Sequence, residues 1–333
     1  MFSIIIPLYN KAAYIEKAIH SILNQTNREF EIIVVNDGST DDSLKNLQDT
    51  IKNIQIDELN VSGKIKVIDQ KNQGVSMARN NGVKVAYYDY IAFLDADDWW
   101  EPTYLEEMKA LITEFPQAGI YGCSYYKVKN RKCSPAIIGV DNGFESGLIN
   151  YCQVYVKTLY QPLWTGSTII KRSVFESLNG FNPGLKLGED FDLWIRVAME
   201  YPVAFKNKLL AFYNQDVNLA QRAIGLKLYE PHEHMLFTDY GGWMNDIDFR
   251  NLYEELALYG LLNYYIAGKN KIEVDSILSG IQLKNHSFKY RLYYQILPKI
   301  VVKNLISFLR VGSILKSLLM IVLLQYDQFF LMN

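Results

Sequence analysis

Four short apolar runs in the first third of the chain, each followed by a polar loop, dictate the kind of sheet it can build. Ser3–Pro7, Glu31–Val35, Lys64–Asp69 and Tyr90–Leu94 read as strands. The stretches between them are helical. Ile15, Ala18, Ile19, Ile22 and Leu23 recur at i, i+3, i+4 behind Asn10, a residue suited to capping a helix start. Asn36-Asp37-Gly38-Ser39-Thr40-Asp41 is a turn into a second helix, and a third runs from Gly74 to about Tyr88. Strands alternating with helices predict a mostly parallel α/β sheet with helices on both faces. In open sheets of this kind ligands sit at the carboxyl ends of the strands. Pro7-Leu8-Tyr9-Asn10, Asn36–Ser39, Gln70–Gly74 and Asp95–Asp98 all fall at such ends, so four polar loops converge on one edge.

Asp95-Ala96-Asp97-Asp98 carries the most chemistry. Three carboxylates directly follow a buried strand, where their charge is costly unless solvated, paired or bound to a cation. Hard oxygen ligands suit Mg²⁺ or Mn²⁺, ions that complete their shells with substrate phosphates. The stretch therefore suggests a metal holding a phosphorylated donor. The plainer alternative is a solvated acidic turn before a helix that starts near Glu101-Pro102.

Beyond residue 115 the alternation weakens. Thr165–Lys171 and Val203–Tyr213 read as strands, with Gly180–Gly184 a loop between them. Phe191, Trp194, Ile195 and Ala198 form one helical face, which puts Glu189 and Asp190 at a helix N-terminus. The helix dipole favours acids there whatever their function. From about Leu219 the pattern is mostly helical. Lys284 to the C-terminus holds seven Lys/Arg against one acid, Asp327. Within it Lys299, Lys303, Ser307, Arg310 and Ser317 oppose Val302, Leu305, Ile306, Leu309 and Ile314. Such a cationic amphipathic helix fits an interfacial membrane anchor, a core-covering helix or an oligomer contact. Its longest apolar run, Leu318–Leu324, is too short to span a bilayer.

Composition narrows the partners. A length of 333 residues allows one large domain or two smaller ones. A net charge of −2 gives no reason to expect nucleic acid. Cys123, Cys133 and Cys152 are odd in number and form no CxxC, so neither a disulfide framework nor a zinc site is indicated. The first residues lack the cationic segment of a signal peptide, which makes the cytoplasm the default compartment.

Five segments in order carry a family resemblance. They are Ile4–Asn10, Val34–Asp41, Asn72–Gly82, Phe93–Asp98 and Gly188-Glu189-Asp190-Phe191-Asp192-Leu193-Trp194. Over roughly residues 1–215 the chain resembles the inverting family 2 glycosyltransferases of the GT-A fold, bacterial surface-polysaccharide type. The resemblance implies a Rossmann-like, mostly parallel sheet over residues 1–218. A helical C-terminal region, 219–333, would be membrane- or oligomer-associated. It implies transfer of a sugar from a nucleotide diphosphate donor, a UDP-sugar foremost, with inversion at the anomeric carbon. The acceptor would be a hydroxyl of a glycan or lipid-linked oligosaccharide.

By that resemblance Pro7, Tyr9 and Asn10 line the nucleotide cleft, and Asp37 accepts a hydrogen bond from the base. Gly38 and Gly74 allow close backbone approach, and Asn72 and Arg79 contact or support the nucleotide. Arg79 could pair with phosphate or with Asp95, or form a salt bridge within its own helix. Asp95, Ala96 and Asp97 form the donor motif, with Asp97 a ligand of Mn²⁺ or Mg²⁺ and Asp95 facing the ribose or the metal. Asp98 supports that pair or touches the donor sugar. Asp190 resembles the general base and Glu189 the residue that orients it or the acceptor. Asp192 sits roughly 200° further round the helix and cannot share that direction. Trp164 or Trp194 could stack on a sugar, although Trp194 falls on the apolar face. Some family members add a histidine ligand after the late strand. None lies between Val203 and Asn218, and His232-Glu233-His234 comes later.

The expected setting is bacterial surface-glycan synthesis at the inner face of the plasma membrane, with peripheral membrane contact through 285–333. A sugar nucleotidyltransferase would need a Gly-rich basic loop that Pro7–Lys11 lacks. A non-catalytic subunit is opposed by intact Asp37, Asp95, Asp97 and Asp190.

Overall fold

A computed structural model describes residues 1–57, 64–217 and 227–311. Ile314, Ser317 and the run 318–324 lie outside the described residues, as do the side chains of Ser307, Leu309 and Arg310. The chain forms two compact units. Among the described residues the first holds everything up to 217 together with Glu233–Met235, and the second holds 227–232 and 236–311.

The first unit is built on one sheet of ten strands. These are β1 (Phe2–Leu8), β2 (Phe30–Asp37), β3 (Ile65–Gln70), β4 (Tyr90–Phe93), β5 (Trp99–Trp100), β6 (Ile120–Lys129), β7 (Lys132–Pro135), β8 (Ser146–Ile149), β9 (Thr168–Lys171) and β10 (Val203–Asn214). The order is β3-β2-β1-β4-β9-β6-β10-β5, with β7 on β6 and β8 on β10. The first four strands are parallel, as the alternation predicts. Then β9 enters antiparallel between β4 and β6, and β10 runs parallel to β6. The helices are α1 (Ile15–Leu23), α2 (Ser43–Asp57), α3 (Val75–Lys84), α4 (Tyr104–Glu114), α5 (Tyr151–Thr158), α6 (Arg172–Ser177) and α7 (Glu189–Glu200).

The apolar runs explain the centre of the sheet. Ile4, Ile5, Ile6, Ile32, Ile33, Val34 and Val35 are all fully buried, because inner parallel strands are covered on both faces. Each such side chain contributes about 1.5–3 kcal/mol relative to exposure. Gly82 lets α3 lie close on β1, since a Cβ there would stand 2.4 Å from the Cγ2 of Ile5.

Three sequence expectations need correction. Asn10 does not cap α1, which begins after Tyr14. Asn10 adopts a positive φ of 52° and accepts a hydrogen bond from the Thr40 amide at 2.8 Å, joining two sheet-edge loops. Helix α3 stops at Lys84 rather than near Tyr88. The amides of Tyr87 and Tyr88 are instead taken by the Glu31 carboxylate (2.6 Å) and the Ser3 hydroxyl (3.0 Å), which draw the chain out of the helix towards β4. Thr165–Ser167 is a 3₁₀ turn, and the strand begins at Thr168.

The second unit is helical: α8 (Ile247–Gly260), α9 (Leu262–Ala267), α10 (Lys271–Gly280), α11 (Phe288–Arg291) and α12 (Lys299–Val311). Asp246 caps α8, its Oδ1 accepting from the amides of Asp248 and Phe249. His286 sits between Glu254 and Glu255, 2.7 Å from each. The hydrogen bond with Glu255, supported by Glu254, raises the imidazole's pKa against the effect of burial. Helix α12 packs on α9 with Val302 fully buried and Leu305 and Ile306 half-buried. Among the described residues no helix is long and apolar enough to cross a membrane.

Candidate active site

The acids that follow β4 meet the acids that open α7 through one arginine. Arg79, on α3 and only 3% exposed, donates from Nη2 to Asp95 at 2.8 Å and from Nη1 to Glu189 at 3.2 Å. Burial works against the guanidinium charge, but Asp95, Glu189 and Asp190 more than offset it and raise its pKa overall. Of the alternatives open in the sequence, Arg79 takes the pairing with Asp95. Its second partner, 110 residues away, had no local signal.

Asp97 holds a cation already. The Lys11 ammonium donates to its Oδ2 at 2.7 Å. Burial, and then the Asp95 charge, push the Asp97 carboxyl upward, and Lys11 counters them. Lys11 was not singled out in the sequence, although a lone cation in the polar loop after β1 was the available clue. Ala96 is buried between the two acids. Asp98 is buried too and accepts from the Asn214 amide at 2.7 Å, which ties the end of β10 to the acidic loop. Burial and its two acidic neighbours raise the Asp98 carboxyl well above the usual range.

The carboxyl ends of β1, β2 and β3 supply the other flank. Asp37 is buried, and its carboxylate accepts from the side-chain amide of Gln70 and the backbone amides of Gln73 and Gly74, each at 2.8 Å. A carboxylate offers about four acceptor positions, so one remains. Asp37 therefore braces the 70–74 loop that carries the exposed Asn72. Gly38, at φ +70°, permits the close packing of that brace, because a Cβ would stand 2.9 Å from the Asn72 amide nitrogen. Gly74, at φ +89°, faces open space at the start of α3. Pro7 is half-buried, while Tyr9 is 45% exposed at the edge.

Glu189 and Asp190 occupy the first turn of α7. The Asp190 Oδ1 accepts from the Phe191 amide at 2.7 Å and its Oδ2 from the Gln161 side chain at 3.2 Å. Burial raises the Asp190 pKa, against those two hydrogen bonds and the Arg79 charge. Burial and then Asp190 raise that of Glu189, against Arg79. Asp192 turns elsewhere and pairs with Arg196 at 2.8 Å. Trp194 is fully buried among Phe93 and Phe181, and Trp164 is buried against Tyr125 and Tyr213, so neither presents a free face.

Gly188 fixes the turn before these acids. Its φ is +81°, and a Cβ would fall 2.2 Å from the Met235 Cγ. Met235 is held there by backbone bonds between Leu187 and the 233–235 segment. Gly188→Ala should cost about 1–3 kcal/mol through a strained backbone and displaced packing. Urea denaturation would measure it, and a loss under about 0.5 kcal/mol would contradict this fit. His234, in the same segment, is buried and lowered to about 4, hence neutral near pH 7. Among the described residues no group of three or more His, Cys, Asp or Glu side chains could hold a metal.

A cleft of about 400 Å³ opens beside Asp97, lined among others by Tyr14, Lys17, Trp99, Arg131 and Asn214. The site thus offers two neighbouring carboxylates, Lys11 on Asp97 and Arg79 on Asp95, and a second, half-buried acid pair joined to the first by Arg79.

A mixed α/β sheet with this acidic edge is the GT-A architecture. Glycosyl transferase family 2 matches residues 3–178, more than half of the chain, and the chain belongs to that family. An uncharacterized glycosyltransferase of Rickettsia felis is 32% identical over 214 residues, 63% of this chain and 32% of the relative. Chondroitin synthase of Escherichia coli is 27% identical over 209 residues, 63% of this chain and 28% of the relative. The chain spans about a third of the length of these relatives. In structure it is similar to S. aureus TarS in complex with UDP-GlcNAc, with a TM-score of 0.56 and 18% identity over 84% of this chain and 90% of that one. The mannosyltransferase PcManGT from Pyrobaculum calidifontis, in complex with GDP-Man and Mn²⁺, gives 0.50 and 15% over 96% and 78%. Both likenesses show the fold.

Proposed function

We propose that residues 1–218 form an inverting catalytic domain. It moves a sugar from a nucleotide diphosphate sugar, a UDP-sugar foremost, onto a hydroxyl of a glycan or lipid-linked oligosaccharide. The observation that carries this reading is the buried Arg79 bridge, which brings Asp95 and Glu189 to one place. It couples the acids suited to the donor with the acids suited to the acceptor. The family and the nucleotide-sugars bound by structural relatives support the donor class. The chondroitin synthase relative supports a glycan acceptor.

Asp190 is the base in this reading. It takes the proton of the acceptor hydroxyl as that oxygen bonds to the anomeric carbon and the bond to the nucleotide diphosphate breaks. Glu189 fixes its surroundings from the Arg79 bridge. Tyr9, Pro7, Asn10 and Asn72 border the nucleotide, and Asp37 keeps one acceptor position for the base. Asp95 and Asp97 fit Mn²⁺ or Mg²⁺: their donor set is hard oxygen, and Asp97 already carries an ammonium. Two carboxylates alone leave the rest of the shell to phosphates and water. The metal, when bound, neutralises charge on the departing nucleotide diphosphate. Asp97→Asn should lower metal-dependent nucleotide affinity at least about tenfold. Titration calorimetry with Mn²⁺ checks this, and wild-type affinity in the variant would remove Asp97 from the site. We place the reaction at the inner face of the plasma membrane, where a lipid-linked acceptor would be met.

A further inference from the structure

Asp95 and Asp97 each carry a cation supplied by the chain, and the two cations are held differently. Arg79 is 3% exposed and forks between Asp95 and Glu189, so its guanidinium is fixed from two sides. Lys11 reaches Asp97 on a flexible four-carbon stem. Among the described residues Asp97 is the one acceptor of its ammonium. The backbone beneath that stem is pinned. The Lys11 amide donates to the buried Ser43 hydroxyl at 2.7 Å, and the Ala12 amide donates to Asp41 at 3.2 Å. The Lys11 carbonyl accepts from the Tyr14 amide at 2.9 Å. The loop after β1 is thus tied to the start of α2, which fixes the root of the side chain and leaves its tip free to turn. Ala13 and Tyr14, two and three residues further on, line the cleft that opens beside Asp97.

From this we infer that Lys11 is a ligand of the donor diphosphate, held on Asp97 until nucleotide and divalent cation arrive together. One carboxylate does not keep an ammonium and a divalent cation in contact at once, because like charges a few ångströms apart repel. Lys11 therefore gives up Asp97 when the carboxylate takes the ion. Its pinned root keeps the ammonium at the same edge, where the phosphates of the nucleotide are the negative charge left to it. Lys11 thereby makes the two ligands depend on each other. The ion frees the ammonium for phosphate, and phosphate gives the displaced ammonium a new partner. Arg79 cannot do the same, since leaving Asp95 would also strip Glu189. The exchange rests on the donor-site reading above and breaks no covalent bond.

The test is titration of the metal-free full chain with Mn²⁺, alone and with saturating UDP or GDP, read by the electron paramagnetic resonance of the free ion and by calorimetry. Mn²⁺ alone should bind Lys11→Met about tenfold more tightly than wild type, because Asp97 is no longer shared. The nucleotide should bind the Mn²⁺-loaded variant about tenfold more weakly, because a charge-assisted phosphate contact is gone. The favourable coupling between ion and nucleotide then falls about tenfold. These opposite signs separate an exchange from damage to the loop, which would weaken both ligands. Lys11→Arg keeps the positive charge and should bind Mn²⁺ alone as wild type does. Lys11→Gln should give the signs of Lys11→Met, and takes its place if circular dichroism shows the methionine variant unfolded. Unchanged affinity for either ligand, or a loss for both, overturns the proposal and leaves Asp97 as the metal ligand. No Mn²⁺ binding by wild type with either nucleotide removes the donor site itself, and the proposal with it.

Discussion

Asp190→Asn should lower sugar transfer by about 10²–10⁴-fold, the usual contribution of a positioned general base. The substitution keeps shape and volume, and the side-chain oxygen can still accept from the Phe191 amide. What it removes is the capacity to take a proton. Donor affinity should stay close to wild type, because Asp190 contacts Gln161 and its own helix rather than the acids that follow β4. A base must be ionised to act, and burial raises this carboxyl. Wild-type transfer should therefore fall as pH drops, from a point above the usual carboxylate range. Pre-steady-state transfer with a bound nucleotide-sugar measures both effects. Wild-type rates in the variant would sink the assignment of the base.

The second large effect is on stability. Arg79→Met should destabilise the protein by about 2–4 kcal/mol near neutral pH, because two half-buried carboxylates lose the buried cation they share. Without it the folded pKa of Glu189, already raised by burial, would rise further. More stability would then be lost as pH rises above the unfolded value, so the deficit should shrink on acidification towards about pH 4. Arg79→Lys should recover only part, since an ammonium cannot span both acids as the planar fork does. Urea denaturation across that pH range decides the matter. A deficit under about 1 kcal/mol, or one that grows with acid, would mean that the bridge does not hold the site.

The half of the site built by consecutive strands was readable in the sequence. Ile4–Ile6, Ile32–Val35 and Ile91–Leu94 are apolar throughout because inner parallel strands are buried on both faces. That regularity fixes where their loops emerge. It does not fix what the loops bind. Asn10 looks like a helix cap, yet tertiary contact with Thr40 claims its side chain. Asp37 looks free for a ligand, yet three donors from the 70–74 loop occupy most of its carboxylate. The pairing of Arg79 with Glu189 depends on α7 returning to the sheet edge, which no local pattern encodes. Strands β5, β7 and β8 are two to four residues long, too short for a period to register.

The central claim is that this edge binds a nucleotide diphosphate with a divalent cation. Thermal unfolding of the full chain with UDP, GDP, CDP or dTDP, each with Mn²⁺, Mg²⁺ or chelator, tests it most directly. A ligand that binds only the folded state adds about 2.7 kcal/mol at a hundred times its Kd. One nucleotide, UDP foremost, should raise the melting temperature with metal and lose that effect with chelator. No shift with any nucleotide in the presence of either metal would contradict the account.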